Sequence, residues 1–265
     1  VETPAPVADA SGQLNVSLLQ DPVFGKDYIS FVLDGQFQGG DSEKASFPRL
    51  PLYISSSETP AVQTQIFVSE KSMNSAMQSM HEAGSLVVGQ KVESTYLKTI
   101  IPNFEEVFGK HGDVRMLLES STAPSITISE GVSEVKAAAT IRILNPFNES
   151  YEVMMMHCQV SSQVEFELLK DFRLIGNIKE MVMEVTAMEA YFQTSVTKEG
   201  VNKQIDSLAA PLQTLINTVL SSGQGLPIPG SLKNELSHTR MFSYDHFLMV
   251  ESDPQIQDRV KQRII

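Results

Sequence analysis

The stretch Ile205 to Leu220, IDSLAAPLQTLINTVL, followed at once by SSGQGLPIPG, most constrains what this chain can fold into. Ile205, Leu208, Ala209, Leu212, Leu215, Ile216, Val219 and Leu220 recur at three- and four-residue steps, which lines them along one side of a helix. Asp206, Ser207, Gln213, Thr214, Asn217 and Thr218 mostly fill the other side, nearly all of them uncharged. Pro211 should kink this helix or mark the first turn of a second segment, because its ring removes a backbone donor and crowds the preceding turn. Gly223, Gly225, Pro227, Pro229 and Gly230 then end it. A helix of this kind needs a large apolar surface to lie against, and the rest of the chain reads as strands that provide one.

Residues 1–13 (VETPAPVADASGQ) read as a linker. Leu14 to Leu19 is a candidate short strand, and Ile29, Phe31, Leu33 and Phe37 alternate with Ser30, Asp34, Gln36 and Gln38 in a clearer one. GGDSEKASFPRLP is a loop by composition, and Leu52–Ile54 and Val62–Phe67 read as extended. A second helix follows. Ser69 is its N-cap, Glu70 lies in the first turn where the helix dipole favours an anion, and Gly84 is its stop. Met73, Ala76, Met77, Met80 and Ala83 form its apolar stripe. Leu86–Val88 resumes a strand, and Pro102–Phe108 is a short amphipathic helix ending near Gly109.

From Val114 onward the chain is a meander. Val135, Ala137, Ala139, Ile141 and Ile143 alternate with polar residues, as do Val164, Phe166 and Leu168. Leu174 and Ile178, then Met181, Met183 and Val185, continue the pattern less cleanly. Phe242 to Val250 closes the fold as one strand. Period-two alternation of this kind belongs to antiparallel strands with one apolar and one wet face. The expected class is therefore α+β, one antiparallel sheet with long helices on its apolar face.

Composition bounds the function. The 265 residues are 42% hydrophobic, enough for a core in one large or two small domains, and no apolar run reaches the length of a bilayer-spanning helix. Val1 is not an initiator Met and no signal-peptide pattern precedes it, so the chain reads as a processed product or part of something longer. A net charge of -12 argues against nucleic acid and against docking on anionic headgroups; Arg259, Lys261 and Arg263 read as a solvated end. A single cysteine, Cys158, allows no internal disulfide and leans towards a reducing compartment. Against that stand two N-glycosylation sequons, Asn15-Val16-Ser17 and Asn148-Glu149-Ser150.

Catalytic patterns are absent. The five histidines have no metal-ligand spacing, and GxSxG, GxGxxG and P-loop motifs do not occur. His157 and Cys158 are adjacent in a strand and so face opposite ways, a poor arrangement for a nucleophile and its base. No enzyme, metal or cofactor is expected. The positive signal is 12 Met and 13 Phe with no Trp. Methionine suits surfaces that accommodate variable apolar partners, and it equally fills irregular cores.

Several phrases occur in a telling order: FVLDGQF before a Pro-containing loop, VSEKSMNSAMQSMHEAGSL, the strand meander, the long helix, GLPIPG, and YDHFLMVESD. Over residues 28–253 this series resembles the C-terminal half of the bactericidal/permeability-increasing protein family, which includes lipopolysaccharide-binding protein and the cholesteryl ester and phospholipid transfer proteins. The resemblance implies a tubular lipid-binding fold: a highly twisted antiparallel sheet wrapped around long helices, a BPI-like barrel with an elongated apolar pocket. It implies residues 14–60 as the end of a preceding barrel and central-sheet strands, 61–253 as the barrel, and 254–265 as a tail. It also implies secretion or a lumenal location, which suits glycosylation at Asn15 and Asn148. The first barrel is missing here, and the acidic charge is unlike the bactericidal members, so lipid carriage is a better expectation than lipopolysaccharide clearance.

On this reading the pocket is lined by Met73, Met77 and Met80 together with Leu208, Leu212, Leu215 and Ile216. The ligand would be phospholipid or another acyl lipid. Partners would be a transient membrane or lipoprotein surface and a preceding homologous barrel, with no nucleic acid. The competing expectation is a structural or protein-interaction domain that keeps the fold with a filled, lipid-free core.

Overall fold

The computed structural model describes residues 13–15, 17–24, 29–38, 64–110, 112–169, 173–192, 195–221, 224–225 and 236–254. Most of the expected linker, the loop with Leu52–Ile54 after it, the GLPIPG phrase from Leu226 onward and nearly all of the tail lie outside these residues. Four short strands come first: β1 (Gln13–Leu14), β2 (Val23–Phe24), β3 (Ile29–Ser30) and β4 (Phe37–Gln38). Next are β5 (Thr64–Ser69), α1 (Glu70–Glu82), β6 (Val87–Glu93), α2 (Ser94–Ile100) and α3 (Phe104–Phe108). The meander is β7 (Asp113–Ser120), β8 (Ser125–Thr127), β9 (Ser133–Asn145), β10 (Asn148–Leu168) and β11 (Arg173–Ala190). It leads to α4 (Lys198–Asn202), α5 (Asp206–Ser221), β12 (Gln224–Gly225), β13 (Leu236–Tyr244) and β14 (Phe247–Pro254).

The main sheet has seven strands in the order β12-β11-β10-β9-β7-β6, with β8 also paired to β9. Its ends do not meet, so among the described residues it stays open. The expected single sheet is in fact divided. A separate three-stranded sheet, β13-β14-β5, holds the C-terminal strands, and β1-β4 and β2-β3 form two short ladders. The expected closing strand Phe242–Val250 is a hairpin: β13 and β14 pair antiparallel about a turn at Asp245 and His246. His246 has a φ of 72°, a conformation rare for any residue with a Cβ, so its letter gives no turn signal.

One face of the long strands is largely apolar, with Ser162 of β10 and Ser133 of β9 buried in it. Met154, Met156, Cys158 and Val160 of β10 stand opposite Ile143, Ile141, Ala139 and Ala137 of β9. At 21 residues, β10 extends about 70 Å at the usual rise, long enough to serve two separate cores. The larger core lies at the β10 N-terminal end. There Met154, Met156, Ile141, Ile143 and Val185 meet Leu97 of α2, Phe104 and Phe108 of α3, Val201 of α4, and Leu208 and Leu212 of α5. The smaller core lies at the other end, where Ile126, Ile128 and Leu248 are covered by Val68, Met73, Met77, Phe166, Leu174 and Met241.

The untidy alternation of β11 has a specific cause. Its pairing with β10 shifts register between His157 and Cys158 and between Gln163 and Val164, which leaves Thr186 and Lys179 as extra residues in two bulges. Each bulge reverses which parity faces the core, so Ile178, then Met183 and Val185, are all buried. The outer edge of β11 pairs with β12 only at Arg173 and Leu174. Beyond that, helix amides serve as its partners. Asn217 Oδ1 accepts from Ile178 N at 2.7 Å and Gln213 Nε2 donates to Ile178 O at 2.9 Å. Asn202 accepts from Val185 N at 2.8 Å and donates to Val185 O at 3.0 Å.

Helix α5 passes through Pro211 without a break, and no second segment begins there. Pro211 lies in its second turn, where the missing donor costs one backbone bond. The N-terminal strands are shorter than their alternation suggests. Leu18 and Leu33 form an isolated bridge, and Ile29, Phe31 and Leu33 stand largely in solvent.

Candidate functional site

The helix α1 is held at its N-terminus as its sequence leads one to expect. Ser69 Oγ accepts from Ser72 N at 3.2 Å, and Glu70 lies in the first turn. Glu70 does more than balance the dipole. Its Oε2 accepts from Ile128 N at 2.9 Å and lies 3.2 Å from His246 Nδ1, while Glu70 N donates to His246 O at 2.8 Å. Asn74 pairs with both backbone groups of Ile126, at 2.7 and 2.8 Å. Three chain segments (α1, the end of β8 and the β13–β14 turn) are thereby locked together.

These locks position the smaller core, and beside it runs an open groove of about 430 Å³. Glu130 and Gly131 form one wall, Glu165 and Phe166 another, and Met241 to Tyr244 of β13 the third. Phe166 and Met241 are the side chains that join the groove to the smaller core, which also holds Met73 and Met77. Gly131 has a φ of 83°, the left-handed conformation that lets the chain turn tightly at this wall. Charge is mostly paired. Lys179 Nζ lies 2.9 Å from Glu165, and Arg240 Nη2 lies 3.6 Å from the buried Glu251, whose other oxygen accepts from Gln65 at 3.0 Å. Tyr244 stacks on Phe247 with ring centres 5.1 Å apart. The result is a half-apolar trough with a polar rim.

The residues expected to line one pocket fall in two places. Met73 and Met77 are half-buried against the smaller core, and Met80 is buried nearer the helix C-terminus. Leu208 and Leu212 are fully buried in the larger core, Ile216 is half-buried, and the Leu215 side chain lies outside the described residues. The two cores share no residue, so the fold does not bring the methionine and leucine stripes to one common space. Sequence reasoning missed the groove walls. The Ser-Glu-Gly turn at 129–131 carried a signal, but the hairpin that supplies the third wall did not.

His157 and Cys158 part as adjacent strand residues do. His157 Nδ1 lies 3.1 Å from Thr140 Oγ1, which lies 2.8 Å from Ser121 Oγ, whereas Cys158 is in the larger core. Burial pushes the Cys158 thiol up to about 12, so almost no thiolate forms near neutral pH. Among the described residues no group of three or more His, Cys, Asp or Glu is placed to hold a metal, and no helix is long and apolar enough to cross a membrane.

A family model described as the LBP / BPI / CETP family, C-terminal domain, matches residues 8–256. The chain belongs to this family. A solved structure, the crystal structure of lipopolysaccharide binding protein, is similar at 14% identity with a TM-score of 0.40, over 96% of this chain and 56% of that one. This LBP / BPI / CETP chain thus spans little more than half the length of that protein. Comparison with curated protein sequences finds no match.

Proposed function

We propose that this domain binds lipid, holding phospholipid or another acyl lipid in an elongated apolar pocket within a twisted sheet wrapped on its helices. The observation that carries the reading is the family match over nearly the whole chain. The groove supports a location. Phe166 and Met241 line it and pack on the smaller core, which is covered mainly by half-buried side chains, including Met73 and Met77. Methionines adapt to irregular apolar ligands, and the open, half-polar groove of about 430 Å³ lies next to them. Burying an acyl chain removes about 0.8 kcal/mol of unfavourable hydration per methylene, and a bilayer offers nearly the same, so lipid exchanges without a large net drive. The protein acts as a carrier without a catalytic step or cofactor, on a secretory or extracellular route, and meets membranes or lipoproteins transiently.

A second reading, a protein-interaction domain with a filled interior, is favoured by the larger core, where Leu208 and Leu212 are completely covered. Organic extraction of the purified chain followed by lipid mass spectrometry separates the two. Near-stoichiometric diacyl lipid is expected. Trace lipid only, with no uptake from labelled vesicles, would sink the carrier reading and leave the interaction domain.

A further inference from the structure

The groove lies between two strand edges. In the three-stranded sheet β13 is an outer strand, paired with β14 on one side and, among the described residues, with no strand on the other. From Arg240 to Tyr244 its register with β14 has no shift, so alternate residues aim their N–H and C=O groups away from β14. Exposed edges are usually blunted by lysine, proline or a bulge, and Met241 to Tyr244 contains none of these. The opposite wall is an edge as well. β10 pairs with β9 only as far as Val164, opposite Ser133, while its pairing with β11 continues to Leu168. Just before Ser133 the chain turns at Gly131, whose φ of 83° lies outside the strand region, and Glu165 and Phe166 are left without a strand on that side. Consecutive residues line the groove, Glu165 with Phe166 and Met241 through Tyr244. A pocket set into one face of a sheet would be lined by alternate residues, because neighbours in a strand point to opposite faces.

The walls also set what chemistry fits. Phe166 and Met241 are half-buried and pack on the smaller core, whereas Glu165, Phe242 and Tyr244 are exposed. Two carboxylates line the groove, Glu130 and Glu165, and no Lys, Arg or His does. Lys179 pairs with Glu165, and Arg240, one residue before the groove, lies near Glu251. Among the described residues Glu130 has no ion-pair partner. We propose that the groove receives a short extended segment of a partner protein, which pairs with β13 as an added strand and alternates apolar side chains with Lys or Arg. Its backbone bonds to the outward N–H and C=O groups of β13. Its apolar side chains meet Phe166 and Met241, and its cations meet Glu130 and Glu165. The site goes beyond the carrier reading, since strand pairing at an edge needs no bound lipid.

The test uses the whole chain and a fluorescent heptapeptide of alternating lysine and valine. Anisotropy should show saturable binding, and hydrogen exchange should slow at backbone amides within Met241 to Tyr244 more than elsewhere. A glutamate–valine peptide of the same length should bind several-fold more weakly, and Glu130→Lys should weaken the lysine–valine peptide in the same direction. A lysine–valine peptide methylated at every backbone nitrogen keeps its charge and its apolar side chains but has no backbone donors, so it should not bind. No saturable binding, unchanged exchange along β13, or equal affinity of the methylated peptide overturns the proposal. Lipid-stripped protein should bind the peptide too, so failure of the carrier reading would leave this result standing.

Discussion

Substituting tryptophan at two positions, Leu212 and Met241, tests where lipid sits. Leu212 is 2% exposed and shares the larger core with Leu208, Val201 and Val185, all of them fully buried. An indole there finds no free volume and overpacks the core, at a cost of about 1–3 kcal/mol. For a domain of this size each kcal/mol moves the melting temperature by about 2–4 °C, so Leu212→Trp should melt roughly 2–12 °C lower. Its lipid content should not change. Met241 is half-buried, lines the groove and packs against the smaller core. The groove beside it is open, so Met241→Trp should cost less than Leu212→Trp and melt closer to the parent. Its co-purifying lipid should fall several-fold. Both proteins are stripped of lipid before circular-dichroism melting, then reloaded from labelled vesicles. The opposite pair of results, lipid lost from Leu212→Trp at an unchanged melting temperature and retained by Met241→Trp, would place the ligand beneath α5 and refute the groove.

Three further outcomes follow from particular contacts. Glu70→Ala should cost about 1–2 kcal/mol in urea unfolding, because it leaves the buried Ile128 N–H without its acceptor; Glu70→Gln, which keeps an acceptor, should cost less, and equal losses would show that the contact is unimportant. Asn202→Ala should speed hydrogen exchange at Val185 N, which loses its side-chain acceptor, and an unchanged rate would mean that the edge is protected otherwise. The raised Cys158 value makes folding favour the thiol over the thiolate. Its contribution is complete below the unfolded value of 9.0 and is lost as pH climbs towards about 12, since only the unfolded chain ionises in that window. Urea midpoints measured from about pH 8 to about pH 10 should therefore decline less in Cys158→Ala than in the parent, and parallel declines would contradict a buried neutral thiol.

How far the sequence could be read depended on whether the determining contacts were local. Ser69, Glu70 and Gly84 mark the ends of α1 because capping is settled within a few residues, and the apolar residues of β9 are readable because its register with β10 has no shift from Ser133 to Ile143. β11 blurred because two extra residues shift parity, and the positions of bulges depend on the neighbouring strand. The helix α2 was missed: STYLKTI has only two turns, too few for a period to stand out. The β13–β14 hairpin hid behind a turn with no glycine. The groove was illegible for a deeper reason, since its walls come from three segments far apart in sequence that Glu70 and Asn74 help to gather. In the same way, stripes on α1 and α5 revealed that each helix has an apolar side, but not that a strand as long as β10 would serve them at opposite ends.

The amide contacts of α4 and α5 with β11 limit how this fold can move. Swinging α5 outward as a gate would strip Ile178 of Asn217 and Gln213 and bare a run of strand edge able to recruit a second chain. Opening on that side therefore carries an aggregation hazard in addition to the loss of packing around Leu208 and Leu212. The groove beside β13 can widen without disturbing any of these bonds. On the proposed carrier reading, lipid enters by the β13 side and α5 serves as a fixed wall rather than a door.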